Sequence, residues 1–199
     1  MTTTVPAIYA HDQIKARRHI FKLFGASFDL WSLDGEMLAF SKQKAFRLKE
    51  DIRVYADLEQ KIEILNIQAD RVIDFAASYS VIDSTTGEKI GSLRRKGWAS
   101  IMRDTWELLD PDGIVRGRVI EDSGWLAFLR RFVDFAALIF PQKFLIEVDG
   151  VVVATMKQNH NFFAPKYHVD LGLDTEGLLP RPLAIATVIL LLAIEGRQA

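Results

Sequence analysis

"RPLAIATVILLLAIEG", residues 181–196, carries no charge from Pro182 to Ile194. From Leu183 onward only Thr187 is polar, and its hydroxyl can bond a carbonyl one turn back. Pro182 suits a first helical position and Gly196 a C-terminal cap. A helix that is apolar all round must be surrounded by lipid or by protein. Length separates the two. Thirteen uncharged residues at about 1.5 Å each span roughly 20 Å, short of the ~30 Å hydrocarbon core. Glu195 and Arg197 follow at once, while Arg181, Glu176 and Asp174 precede. The run is too short to cross a membrane and long enough to be a buried helix.

A helix with its side chains is about 10–12 Å across, and an eight-stranded barrel is filled by its own side chains. Enclosing a helix takes something nearer eleven strands. The rest of the sequence supplies them. Phe144, Ile146 and Val148 alternate with polar neighbours, as do Tyr167, Val169 and Leu171; Phe75, Ala77, Tyr79 and Val81; and Ile62 with Ile64. Turn signals separate such runs: Asp34-Gly35, Gly87, Asp112-Gly113 and Asp149-Gly150. Asp-Gly between alternating segments predicts type I′ hairpins. Their uneven spacing predicts a meander rather than a propeller or solenoid. The expected fold is mainly β: a closed antiparallel barrel of about twelve strands enclosing a hydrophobic C-terminal helix at 182–195.

One further segment breaks the strand period. In "EDSGWLAFLRRFVDFAALIFP", Trp125, Phe128, Leu129, Phe132 and Ile139 fall at near-helical spacing. An amphipathic helix near 124–139 is predicted, capped by Asp122 or Ser123 and ended by Pro141. Residues 1–17 are read as an N-terminal extension that can be flexible, and 18–199 as one barrel domain.

Composition narrows the function classes. The chain has 199 residues, 49% hydrophobic and 26% charged, as in an ordinary globular domain. It has no cysteine, which removes disulfides, thiolate metal sites and cysteine nucleophiles. A formal charge of −1 gives no one-signed surface for nucleic acid. The N-terminus lacks a secretory pattern, so the cytoplasm is the expected location, with peripheral membrane contact. His11, His19, His160 and His168 lack metal-ligand spacing. Neither a G-x-S-x-G elbow nor a glycine-rich phosphate loop occurs. No catalytic role, cofactor or metal is expected, and a monomer is the default state.

"LRRKGWASIMRD" is the best local candidate for a ligand site. Arg94, Arg95 and Lys96 end a predicted strand, Gly97 turns the chain, Trp98 suits an interface, and Arg103 returns on the next strand. Guanidinium forks bind phosphate and an adjacent indole adds amphipathic contact, which fits an anionic ligand such as a phospholipid or phosphoinositide headgroup. The structural alternative is a hairpin end whose arginines pair with Asp104, Glu88 or other acids. Arg116, Arg118, Arg130 and Arg131 around Trp125 form a weaker candidate cluster.

The block "YSVIDSTTGEKIGSLRRKGWASIMRDTWELLDPDG", the hairpin-rich body and the terminal "PLAIATVILLLAIEG" resemble the tubby C-terminal-like superfamily. That group includes tubby domains, phospholipid scramblases and LURP-one-related proteins. The resemblance spans about residues 18–197 and rests on the order of features rather than one motif. It implies a twelve-stranded barrel around a hydrophobic helix, and phosphoinositide binding through basic residues. It also implies scramblase-type lipid transport as an alternative. A third reading, independent of the resemblance, is a protein-interaction module whose exposed strands or helix at 124–139 bind a partner. The chain departs from scramblases in lacking a cysteine cluster, a proline-rich N-terminal segment and a dense acidic calcium loop.

Overall fold

The computed structural model describes residues 5–21, 25–43, 52–70, 77–95, 106–122, 142–159 and 166–194. Twelve strands run in chain order: β1 (Gln13–Phe21), β2 (Gly25–Trp31), β3 (Met37–Gln43), β4 (Ile52–Tyr55), β5 (Glu63–Ala69) and β6 (Ser78–Asp83), then β7 (Lys89–Arg95), β8 (Trp106–Leu109), β9 (Val115–Glu121), β10 (Lys143–Val148), β11 (Val151–Gln158) and β12 (Lys166–Asp170). Each pairs antiparallel with its chain neighbours, and β1 closes the ring on β12 through Ile14 opposite Val169 and Ala16 opposite Tyr167. The expected meander barrel is thus the observed one. Closure leaves no free strand edge for another chain to extend.

The helix α1 (Arg181–Ile194) starts one residue earlier than expected and threads this ring. Every residue from Leu183 to Ala193 is buried, Thr187 included, whose hydroxyl donates to the Leu183 carbonyl at 2.7 Å. Strand alternation lines the wall around it with Phe28, Leu30, Val54, Ile67, Leu93, Trp106, Ile146 and Met156. Gly91 sets how closely wall and helix approach. A Cβ there would lie 2.5 Å from the Leu109 carbonyl oxygen and 3.2 Å from Leu183 Cδ2. No helix among the described residues is long and apolar enough to cross a membrane.

The helix enters where the Arg181 guanidinium meets Asp12 and the Leu171 N–H donates to the Asp12 carbonyl at 2.6 Å. At this entry end Ile8, Leu171 and Leu179 complete the core. Ile8 sits in a short 3-10 turn (Ala7–Ala10) and is fully buried, and β1 begins at Gln13. The boundary expected at residue 17 therefore falls inside a barrel strand, because Ile14 and Ala16 supply inner-wall side chains. The helix expected at 124–139 lies outside the described residues.

Turn geometry departs from expectation in a consistent way. Only the Asp149-Gly150 hairpin has positive φ at both residues, 48° and 85°, as a type I′ turn requires. At Gly35, Gly87 and Gly113 only the glycine is left-handed. These connections are longer, and all five entry-end hairpins carry a register shift, at Leu30/Trp31, Val54/Tyr55, Val81/Ile82, Leu108/Leu109 and Ile146/Glu147. An extra residue on one strand raises local twist, which helps a sheet close. Ile62, expected on a buried face, instead stands 59% exposed in the β4–β5 turn.

Candidate functional site

Strand alternation separates the two arginines of the basic cluster. Arg95 shares the inner face of Leu93 and lies opposite Trp106, whose ring is fully buried and 5.9 Å from that of Tyr79. It therefore points to the lumen side of the barrel mouth at the exit end, toward which the C-terminus of α1 runs. Arg94 points outward. Its Nε and Nη2 both donate to Glu107 Oε2, at 2.9 and 2.6 Å.

That pair belongs to a longer row. Arg94 sits directly opposite Glu107, Glu107 opposite Arg118, and Arg118 opposite Glu147. Arg118 Nη2 donates to both Glu147 carboxylate oxygens, at 3.0 and 3.2 Å. Four strands thus present alternating charges in register on the outer wall, each opposite-charge neighbour favourable by a few tenths of a kcal/mol, about 0.2–1. The sequence reading placed Arg94 and Arg118 in different clusters; the meander puts them in one row. Arg116 is turned toward the entry end, where its Nε donates to Asp110 Oδ2 at 3.0 Å. Between Arg116, Arg118, Glu107 and Glu147 lies a shallow depression of about 320 Å³. Arg94, Arg116 and Arg118 thus follow the ion-pair alternative.

Lys96, Trp98, Arg103, Arg130 and Arg131 lie outside the described residues, as does Ser123. Asp122, expected as a helix cap, pairs its carboxylate with Lys143. One polar contact had no sequence signal: His19 Nε2 lies 2.6 Å from Asp29 Oδ2 across β1 and β2. Only the pairing register, with Arg17 opposite Asp29 and His19 opposite Ser27, brings them together. No group of three or more metal-ligating side chains occurs among the described residues.

The two ends differ in chemistry. The entry-end connections are residues 32–36, 56–62, 84–88, 110–114, 149–150 and 171–180. They hold ten carboxylates, one cation (Lys61), and no phenylalanine or tryptophan. Several of these acids fold the turns. Asp57 accepts from the Lys61 and Ile62 N–H groups, Asp110 from Asp112 and Ile114, and Asp174 from Leu178 and Leu179. Those donors hold the Asp57 and Asp110 carboxyls below the usual range, the Ile62 and Ile114 N–H groups being the largest cause in each.

At the exit end the last two residues of the strands include the cations Lys42, Arg53, Arg94, Arg95, Lys143, Lys157 and Lys166, against Glu107 and Glu121. The strands there are joined by residues 22–24, 44–51, 70–77, 96–105, 122–142 and 159–165. The chain has 13 phenylalanines and 4 tryptophans, and eleven of these seventeen fall within those joining stretches of sequence. Compared with protein-family models, with curated proteins and with solved structures, the chain matches none.

Proposed function

We propose that this chain is a non-catalytic barrel that binds an anionic phospholipid headgroup, such as a phosphoinositide, at its exit-end rim. Arg95, Lys96 and Arg103 are its cationic contacts and Trp98 its interfacial one, with Arg130 and Arg131 as further cations and Arg94 engaged by Glu107 beside them. The single observation that carries this reading is the partition of the two ends. Net negative charge gathers at one, while strand-end cations and most of the Phe and Trp sequence gather at the other, whose joining stretches hold seven carboxylates against nine cations. Aromatic residues beside cations suit the headgroup level of a bilayer. The resemblance to the tubby C-terminal-like superfamily belongs to the same proposal and is supported by twelve strands around an apolar helix. Cytoplasmic location with peripheral membrane contact follows from it.

Scramblase-type transport is the weaker alternative, since a helix acting in lipid would have to leave the core that buries Leu183 to Ala193. A protein-interaction role has one observation in its favour: Leu33, Leu58, Ile114 and Leu173 are exposed on entry-end turns. Single exposed apolar side chains are common on any surface, so this carries less weight.

Flotation with phosphatidylcholine vesicles, with and without phosphatidylserine or a phosphoinositide, tests the proposal. Binding should require the anionic lipid and weaken with salt. The double variant Lys96→Ala, Arg103→Ala should lose about 2 kcal/mol of binding, roughly thirtyfold, per folded molecule. Binding indifferent to lipid charge or salt would sink it.

A further inference from the structure

We infer that the barrel docks on an anionic membrane end-on, with the exit end against the lipid and the acidic entry-end turns held in water. This rests on the headgroup reading above and adds an orientation to it. Ten carboxylates against one lysine give the entry-end connections a formal charge of −9, while the exit-end joining stretches (nine cations, seven carboxylates) and strand ends (seven cations, two carboxylates) together carry +7. A near-neutral protein thereby carries a charge dipole along its barrel axis, and such a field orients a molecule as it approaches a charged surface.

Distance makes the orientation selective. The barrel encloses a helix of 14 residues, about 20 Å long, so the two ends are separated by at least that much. The Debye length is about 10 Å at 0.1 M salt. With the exit end down, the ten entry-end carboxylates stand about two Debye lengths from the surface and feel little repulsion, while the seven of the exit-end stretches are outnumbered by cations there. Side-on docking would bring several of the entry-end carboxylates within one Debye length, together with the outer-wall carboxylates Glu107 and Glu147. Inverted docking would bring nearly all. The outer-wall row cannot offset this, because Arg94, Arg116 and Arg118 are already paired with Glu107, Asp110 and Glu147.

The absence of cysteine makes the orientation measurable, because a single introduced thiol takes a single label. Leu33→Cys and Leu173→Cys mark the entry end at exposed positions, and Gln68→Cys marks the outer wall near the exit end. Each carries an environment-sensitive fluorophore and is mixed with vesicles of phosphatidylcholine and phosphatidylserine containing a headgroup-attached quencher. The label at residue 68 should be quenched severalfold more than those at 33 and 173. Adding Asp34→Lys and Asp112→Lys should narrow that difference, since it shrinks the dipole without touching the exit end. Equal quenching at all three positions, in protein that floats with the vesicles, would overturn end-on docking and leave the headgroup reading standing. Quenching only at 33 and 173 would overturn both the orientation and the exit-end site. Failure to float with any anionic vesicle would remove the headgroup reading and this inference with it.

Discussion

The connections at the two ends of the barrel join the same strands, yet they obey different constraints. Those at the entry end are mostly two to seven residues long, rich in Asp and Gly, and folded by their own carboxylates. Those at the exit end include sequences of ten and twenty-one residues, 96–105 and 122–142, and carry the aromatic side chains. Short turns take Asp because its carboxylate reaches backbone N–H groups two to five residues on, and Gly because one position needs positive φ. Part of the charge asymmetry is therefore a consequence of tight turns. It is not all of it. Asp34, Asp112 and Glu176 are exposed, and their carboxylates make no hydrogen bond or ion pair among the described residues. Their contribution to the field has no local structural use, which is why charge reversal at such positions is a fair probe of orientation.

The contrast exists only while α1 fills the barrel, so the largest effect is expected inside it. Ile189 is fully buried. Ile189→Ala should cost about 2–5 kcal/mol, and Ile189→Asp should abolish cooperative folding, because an unpaired carboxylate has no partner there. Circular dichroism and thermal melts read both. A cooperative Ile189→Asp protein that melts like the parent would mean that the helix is not enclosed. A smaller loss is expected where the entry end holds the helix in place. Asp174 accepts from Leu178 at 2.8 Å and from Leu179 at 2.9 Å, immediately before α1 begins. Asp174→Ala should cost about 2 kcal/mol, or roughly 4–8 °C in Tm, while vesicle binding per folded molecule stays unchanged. A loss of binding equal to that of the Lys96→Ala, Arg103→Ala variant would erase the distinction between the ends.

Much of this was legible from residue order. The thirteen uncharged residues after Arg181 call for an enclosed helix, the enclosing geometry asks for about eleven strands, and the alternating segments supply about a dozen. Hairpin positions were readable from Asp and Gly. What escaped was whatever depends on register. Ile62 looks like Ile64 in the sequence, yet β5 begins only at Glu63, and the Ile62 N–H donates to Asp57 Oδ2 at 2.8 Å within the turn. Arg94 and Arg95 look like one cluster, and alternation sends them to opposite faces of the wall. The row from Arg94 to Glu147 needs three strand registers at once, and no local pattern encodes those. The partition of net charge and aromatics between the ends needs only the meander topology. It could have been read from the sequence by sorting alternate connections.

The smallest expected effect concerns how the entry end keeps its shape. Asp57 and Asp110 have folded-state carboxyl pKa values below the ordinary 3.8, because backbone N–H groups donate to the charged form. For a lowered pKa the stabilising contribution is fully present above the unfolded value and is lost as pH falls through the folded one. These two turns should therefore hold at pH 5 and loosen only below the usual carboxylate range. Amide shifts of Ile62 and Ile114, followed by NMR from pH 6 to pH 2, should move with midpoints under 3.8. In Asp57→Asn and Asp110→Asn the corresponding transition should vanish, since a neutral amide does not titrate. The exit-end label at residue 68 should be indifferent to these substitutions. Were the Ile62 and Ile114 midpoints to lie at or above the ordinary value, the carboxylates would not be the groups that organise these turns. Their concentration at one end would then have to be explained by the field alone.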